Sequence, residues 1–147
     1  MIDMTETLHL ESPAKVNLRL EILERREDGY HELRTLLQKI SLHDTLHFSL
    51  IKEEGVSINT DHPKLPIGKD NLVYKAAQSM LKVSDYKGGV CIEIEKRIPL
   101  GAGLGGGSSN AATALKALNQ LLNMDLSNRA VRGMGLEIGA DVPFFFL

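Results

Sequence analysis

Cysteine occurs once in these 147 residues and tryptophan not at all. No apolar run approaches the length of about eighteen that would suggest a membrane span. The lone Cys91 excludes an intrachain disulfide framework and a cysteine-clustered zinc site. Within Gly89-Val90-Cys91-Ile92 it reads as a small strand residue and not as a catalytic thiol. His9, His43, His47 and His62 fall at no metal-binding spacing. A basic excess is also lacking: 17 Lys and Arg face 19 Asp and Glu, for a net charge of -2, so no nucleic-acid partner is expected. The amino terminus has neither a basic opening nor a continuous hydrophobic segment, so no membrane association and a cytoplasmic location are expected. Internal repeats, low-complexity linkers and composition shifts are missing too, and residues 1–147 read as one domain. That domain stops inside Val142-Pro143-Phe144-Phe145-Phe146-Leu147, an apolar run of the kind that enters a strand or core segment, so truncation of a longer parent is expected.

What the chain has in abundance is glycine in one place. Gly101-Ala102-Gly103-Leu104-Gly105-Gly106-Gly107 puts five glycines in seven residues, followed by Ser108, Ser109 and Asn110. So many glycines cost more unfolded-chain entropy than a turn requires. Either sheet and helix approach closely there, or a ligand lies against the amides. The run joins a strand-like segment to a helix-like one, and exposed amides at a helix start suit a phosphate group.

Gly101, Gly103 and Gly106 formally match a dinucleotide fingerprint, but the preceding region reads as antiparallel hairpins, and no acidic strand end follows at the required spacing. The hydrolase-type phosphate loop needs lysine where Gly107 stands. A protein-kinase glycine loop leads into a strand, whereas this one leads into an alanine-rich helix. Of Ser108 and Ser109, one is expected to cap a helix beginning near Ser108, and the other to reach a phosphate oxygen or a nucleotide-bound magnesium.

Around this loop the pattern predicts an α+β domain. Val16, Leu18, Leu20 and Ile22 alternate, placing Lys15, Asn17, Arg19 and Glu21 together on the other face of a strand. Arg25 to Gly29 reads as a hairpin turn, and Tyr30 to Leu42 is open between strand and helix. Thr45 to Leu50 and Val56 to Asn59 read as further antiparallel strands. A helix follows Asp70-Asn71, then a strand from Val90 to Ile98 ended by Pro99, then the helix beyond the glycines. Asp125 or Ser127 caps a third helix ending near Gly139, weakened by Gly133 and Gly135.

Two charges can make the loop reactive. Lys15 beside a strand is either solvated or functional. Asp141, set between Gly139-Ala140 and Val142-Pro143, is a cap, an ion-pair partner or a general base. If the fold brings them together, Asp141 orients a hydroxyl and Lys15 offsets charge as oxygen attacks phosphorus. Asn71 caps its helix or contacts a nucleotide. Asn17, Tyr30 and His31 are sheet and turn residues, or else position and stack on a polar substrate.

Pro99 through Ala112 resembles the phosphate loop of the small-metabolite kinases that include galactokinase, homoserine kinase and mevalonate kinase. Three glycines between Leu104 and Ser108, and Asn110 where alanine is usual, depart from the general pattern and select one subfamily. Pro13-Ala14-Lys15-Val16-Asn17-Leu18, Arg26 through Leu33 and Gly139 through Phe145 are similar to the members acting on 4-diphosphocytidyl-2-C-methyl-D-erythritol, in the non-mevalonate isoprenoid pathway. The resemblance implies ATP-dependent phosphorylation of that compound's 2-hydroxyl, with Mg2+ as companion of ATP. It implies Lys15 and Asp141 as catalytic pair, Gly101 through Ser109 as the ATP-phosphate loop and Asn71 near adenosine. Asn17 would hold the erythritol portion, and Tyr30 and His31 the cytosine. The implied fold is the first domain of these kinases, similar to the second domain of ribosomal protein S5, with a mixed or antiparallel sheet and a substrate-binding second domain not included here. An inactive nucleotide-binding or scaffold domain on the same fold is the alternative.

Overall fold

Alternating residues on either side of the Asp28-Gly29 turn build one long antiparallel hairpin in a computed structural model of the chain. The structure describes residues 2–29 and 31–147, with the side chains at 20, 22 and 31–34 outside that description. Strand β1 spans Thr7–Arg25 and β2 spans His31–Ile51. Gly29 turns between them with φ 89°, its N–H donating to the Arg26 carbonyl at 3.0 Å. The stretch open between strand and helix is therefore strand as far as its residues are described, and Thr45 to Leu50 continues it without a break.

Strand β3 (Gly55–Thr60), helix α1 (Leu72–Val83) and strand β4 (Gly89–Glu95) follow. The sheet order is β1-β2-β4-β3, antiparallel except that β3 and β4 run parallel, Ile58 opposite Ile92. This corrects the expectation that Val56 to Asn59 is antiparallel. Parallel neighbours need a long crossover, and the segment carrying α1 supplies it. A β-α-β unit thus exists after all, but the glycine run follows its second strand, where a dinucleotide fold needs it after the first.

Asp44, Leu46, Phe48 and Leu50 share one face of β2, as Ile92, Ile94 and Lys96 share one face along β4 and its exit. The apolar members are buried against Ala76, Ala77 and Met80 of α1 and Ala111, Leu115 and Leu118 of α2 (Gly106–Leu121). Alanines 111, 112, 114 and 117 have no exposure, which lets α2 lie close on the sheet. Each fully buried large aliphatic side chain contributes about 1.5–3 kcal/mol.

The alternation of β1 stops following burial near Lys15, where its register with β2 shifts. Lys15 is buried, while Leu18 on the opposite face is 59 % exposed. Strand β4 also ends at Glu95, three residues before Ile98. Carboxylates take over from the ladder there: Asp61 accepts the Lys96 N–H, and Asp44 accepts those of Arg97 and Ile98.

Helix α3 (Asn128–Ile138) is capped by Ser127, whose Oγ accepts the Ala130 N–H at 3.1 Å. Gly135 lies against Val142, leaving no room for a side chain. The terminal Val142–Phe146 is a 3-10 helix and not a strand, with Pro143 in its first turn and Val142 and Phe145 buried. No helix among the described residues is long and apolar enough to cross a membrane.

Candidate functional site

The loop between β4 and α2 is shaped by left-handed glycines: Gly101, Gly103 and Gly105 have φ of 66°, 74° and 71°. Gly105 is the N-cap of α2. The helix therefore begins at Gly106, two residues before Ser108, and no side chain caps it. A left-handed Gly105 reverses the chain directly into the helix, so neither serine is needed as a cap. Ser109 is fully buried instead, its Oγ 2.9 Å from Ser12 Oγ. Ser108 remains partly exposed on the first turn, and its hydroxyl bonds to none of the described residues.

Lys15 is fastened to this loop twice. Its backbone N–H donates to the Leu104 carbonyl at 2.8 Å, and its Nζ donates to the Gly103 carbonyl at 3.0 Å. Nζ also donates to Asn17 Oδ1 at 3.0 Å, as a shared strand face requires. No described carboxylate lies within ion-pair distance of Lys15, which is 6 % exposed. A buried ammonium with neutral partners is costly unless a ligand brings negative charge, and its third N–H faces no acceptor among the described residues. A Cβ on Gly105 would lie 2.9 Å from Lys15 Cγ and 3.0 Å from Phe145 Cζ, so glycine is what admits the lysine stem.

The turn before Asp141 reaches the loop's end from the other end of the chain. Leu72 Cδ1 lies within 4.0 Å of a Cβ built on Gly107 and 3.8 Å of one on Gly139, linking the loop's end to the turn before Asp141. Four residues beyond Asp141, Phe145 comes up to Gly105, its Cζ 3.0 Å from where a Cβ would stand. The carboxylate itself is exposed and bonds to none of the described residues. Asn71 does cap α1, its Oδ1 accepting the Val73 N–H at 2.9 Å, and its Nδ2 donates to the Pro66 carbonyl at 2.8 Å. Asn17 is exposed beside Lys15. Tyr30 lies outside the described residues, and of His31 only the backbone is described, pairing with Arg25.

Sequence reasoning missed a buried polar cluster at the loop's base. Asp44 is fully buried, and its Oδ2 accepts from Lys96 Nζ at 2.6 Å and Asn110 Nδ2 at 2.9 Å. Lys96 lines a cavity of about 310 Å³ together with Pro99, the loop and Leu72. A Cβ on Gly106 would lie 2.9 Å from Lys96 Nζ. Among the described residues no three His, Cys, Asp or Glu side chains could together hold a metal ion.

The family model described as the GHMP kinases N terminal domain matches residues 71–147. A 4-diphosphocytidyl-2-C-methyl-D-erythritol kinase from Desulfotalea psychrophila is 50 % identical over 140 residues, covering 94 % of this chain and 47 % of its own length. A crystal structure of 4-(cytidine 5'-diphospho)-2C-methyl-D-erythritol kinase superimposes with a TM-score of 0.79 at 45 % identity, covering 94 % of this chain and 48 % of that one. Homoserine kinase from Cytophaga hutchinsonii shares the fold at 22 % identity, with a TM-score of 0.71 over 94 % of this chain and 42 % of its own. The chain spans about half the length of the curated relatives it matches.

Proposed function

The chain belongs to the GHMP kinase family, and we propose that the complete protein uses ATP to phosphorylate the 2-hydroxyl of 4-diphosphocytidyl-2-C-methyl-D-erythritol in the cytoplasm. Residues 1–147 then supply the ATP-binding and catalytic domain, and the rest of the substrate site comes from a second domain. The observation that carries this is the double attachment of Lys15 to the glycine loop, through Leu104 and Gly103. It supports the reading because a buried cation with neutral partners sits where the glycine loop meets a helix N-terminus, an arrangement that suits a phosphate.

The loop amides of Gly101 through Gly107 and the start of α2 hold the phosphates. Lys15 donates its remaining N–H to the transferring group and offsets its charge. Asp141 orients the acceptor hydroxyl and takes its proton as oxygen bonds to phosphorus and the bond to ADP breaks. With Ser109 turned to Ser12, Ser108 is the hydroxyl suited to a phosphate oxygen or to the Mg2+ that accompanies ATP and neutralises its charge. Asn71 has both polar groups engaged, so it serves the adenosine side by fixing the start of α1. Asn17 meets the erythritol portion, and Tyr30 and His31 the cytosine.

The test is phosphate transfer from ATP to 4-diphosphocytidyl-2-C-methyl-D-erythritol by the complete protein, followed by the phosphorus signal of the product. Transfer to the 2-hydroxyl is expected. ATP binding without transfer would favour a nucleotide-binding scaffold instead.

A further inference from the structure

One carboxylate holds both ends of the glycine loop. Asp44 Oδ1 accepts the N–H groups of Arg97 at 2.6 Å and Ile98 at 2.8 Å, where the chain leaves β4 and enters the loop. Its Oδ2 accepts from Asn110, in the second turn of α2, where the loop has become helix. Asn110 also donates to Ser12 of β1, which bonds to Ser109, so β1, β2, the segment leaving β4 and helix α2 converge on this group. Lys96 supplies the counter-charge, its side chain 2 % exposed and that of Asp44 fully buried.

Stability alone does not require such an ion pair, because apolar or neutral replacements of buried pairs are often as stable or more so. What a carboxylate with four donors does supply is geometry: it fixes the spacing of the two points it grips. We propose that Asp44 is the positioning residue of the phosphate loop, holding its entry and exit at the separation in which the loop amides fit the phosphates of ATP, with Lys96 as the counter-ion that permits its burial. The proposal rests on the ATP reading given above.

The complete protein is compared with Asp44→Asn, Lys96→Met and the double variant by thermal unfolding, titration with a non-hydrolysable ATP analogue, and the KM for ATP set against kcat. Asp44→Asn strands a buried ammonium, so its melting temperature falls. Its analogue affinity weakens and its KM for ATP rises by about tenfold, the value of one charge-assisted hydrogen bond, while kcat at saturating ATP holds. In the double variant no charge is stranded, so melting recovers while the loss of ATP affinity persists. Recovery of both together would reduce the cluster to a structural role and overturn the proposal, as would a folded Asp44→Asn variant with unchanged affinity. Wild-type protein that binds the analogue but transfers no phosphate defeats the acceptor assignment and leaves the loop proposal to stand on the affinities. Wild-type protein that binds no analogue defeats both.

Discussion

Two lysines close on successive glycines of one loop, and they differ in what answers their charge. On the β1 side Lys15 packs its stem against Gly105 and ends on a carbonyl and an amide oxygen, both neutral. On the β4 side Lys96 ends against Gly106 and meets the carboxylate of Asp44 at 2.6 Å. Both side chains are almost wholly buried. Burial of a charge is costly in either place, but the Lys96 charge is balanced by a carboxylate within the fold, whereas the Lys15 charge meets only neutral oxygens among the described residues. On the proposed reading, similar burial marks architecture in one case and a ligand site in the other.

The largest effect that separates the two is expected at Lys15. Lys15→Met keeps the stem between Gly105 and Phe145 but deletes the cation, so kcat should fall by about 10²–10³, the scale for removing one aimed donor from a reacting group. The melting temperature should hold or rise, because a buried and unbalanced charge is gone. Turnover assays and thermal melts on one preparation measure both. A variant that loses stability and keeps turnover would place Lys15 with the architecture and dissolve the contrast.

A smaller effect sharpens the division by changing the glycines instead. Gly105→Ala forces a left-handed residue to carry a Cβ, at roughly 1–2 kcal/mol, and drives that Cβ into Lys15. Its expected signature is lower stability together with a several-fold fall in kcat. Gly106→Ala lies in a helix, where alanine is favoured by about 1 kcal/mol, but it presses on Lys96 Nζ and Ile98. That variant should keep its stability and show its defect in the KM for ATP. Identical kinetic signatures from the two would mean the loop yields as one unit and the two flanks have no separate duties.

How much of this was legible in the sequence follows the same division. The shared face of Lys15 and Asn17 is a local matter of spacing, as are the caps, where of the alternatives left open Asn71 caps α1 and Ser127, not Asp125, caps α3. Helix α2 starts two residues before Ser108 because a left-handed glycine ends the loop without a polar cap. The parallel pairing of β3 with β4 depends on where a crossover returns, which alternation does not encode. The Asp44 cluster was hidden for another reason, although parity offered a signal. Asp44 alternates with Leu46, Phe48 and Leu50, and Lys96 with Ile92 and Ile94, so each charge stands on a core-facing register and needs a partner there. Which partner it finds is a long-range fact: 52 residues separate the pair.

A third lysine extends the contrast to a place without a loop. Lys116 of α2 donates to the Phe145 carbonyl at 2.6 Å and lies 5.0 Å from the Phe146 ring, with no carboxylate among its described partners. Burial, and then the charge of Lys39, hold its ammonium below the ordinary lysine pKa of 10.5. Between that lowered value and 10.5 the unfolded chain carries a proton that the folded chain has released, so stability rises with pH across the window and levels off above it. Below the lowered value both states are charged, and the fold bears the cost of the ammonium's partial desolvation. Lys116→Met keeps the aliphatic stem beside Phe146 and has nothing to titrate. Urea midpoints of the two proteins, compared from neutral pH to about 10.5, should show a rise in the native protein that the variant lacks, a small effect visible only as the difference between the curves. Parallel curves would mean that the carbonyl and the ring answer the charge as fully as Asp44 answers Lys96, and that neutral partners alone do not mark a lysine as uncompensated.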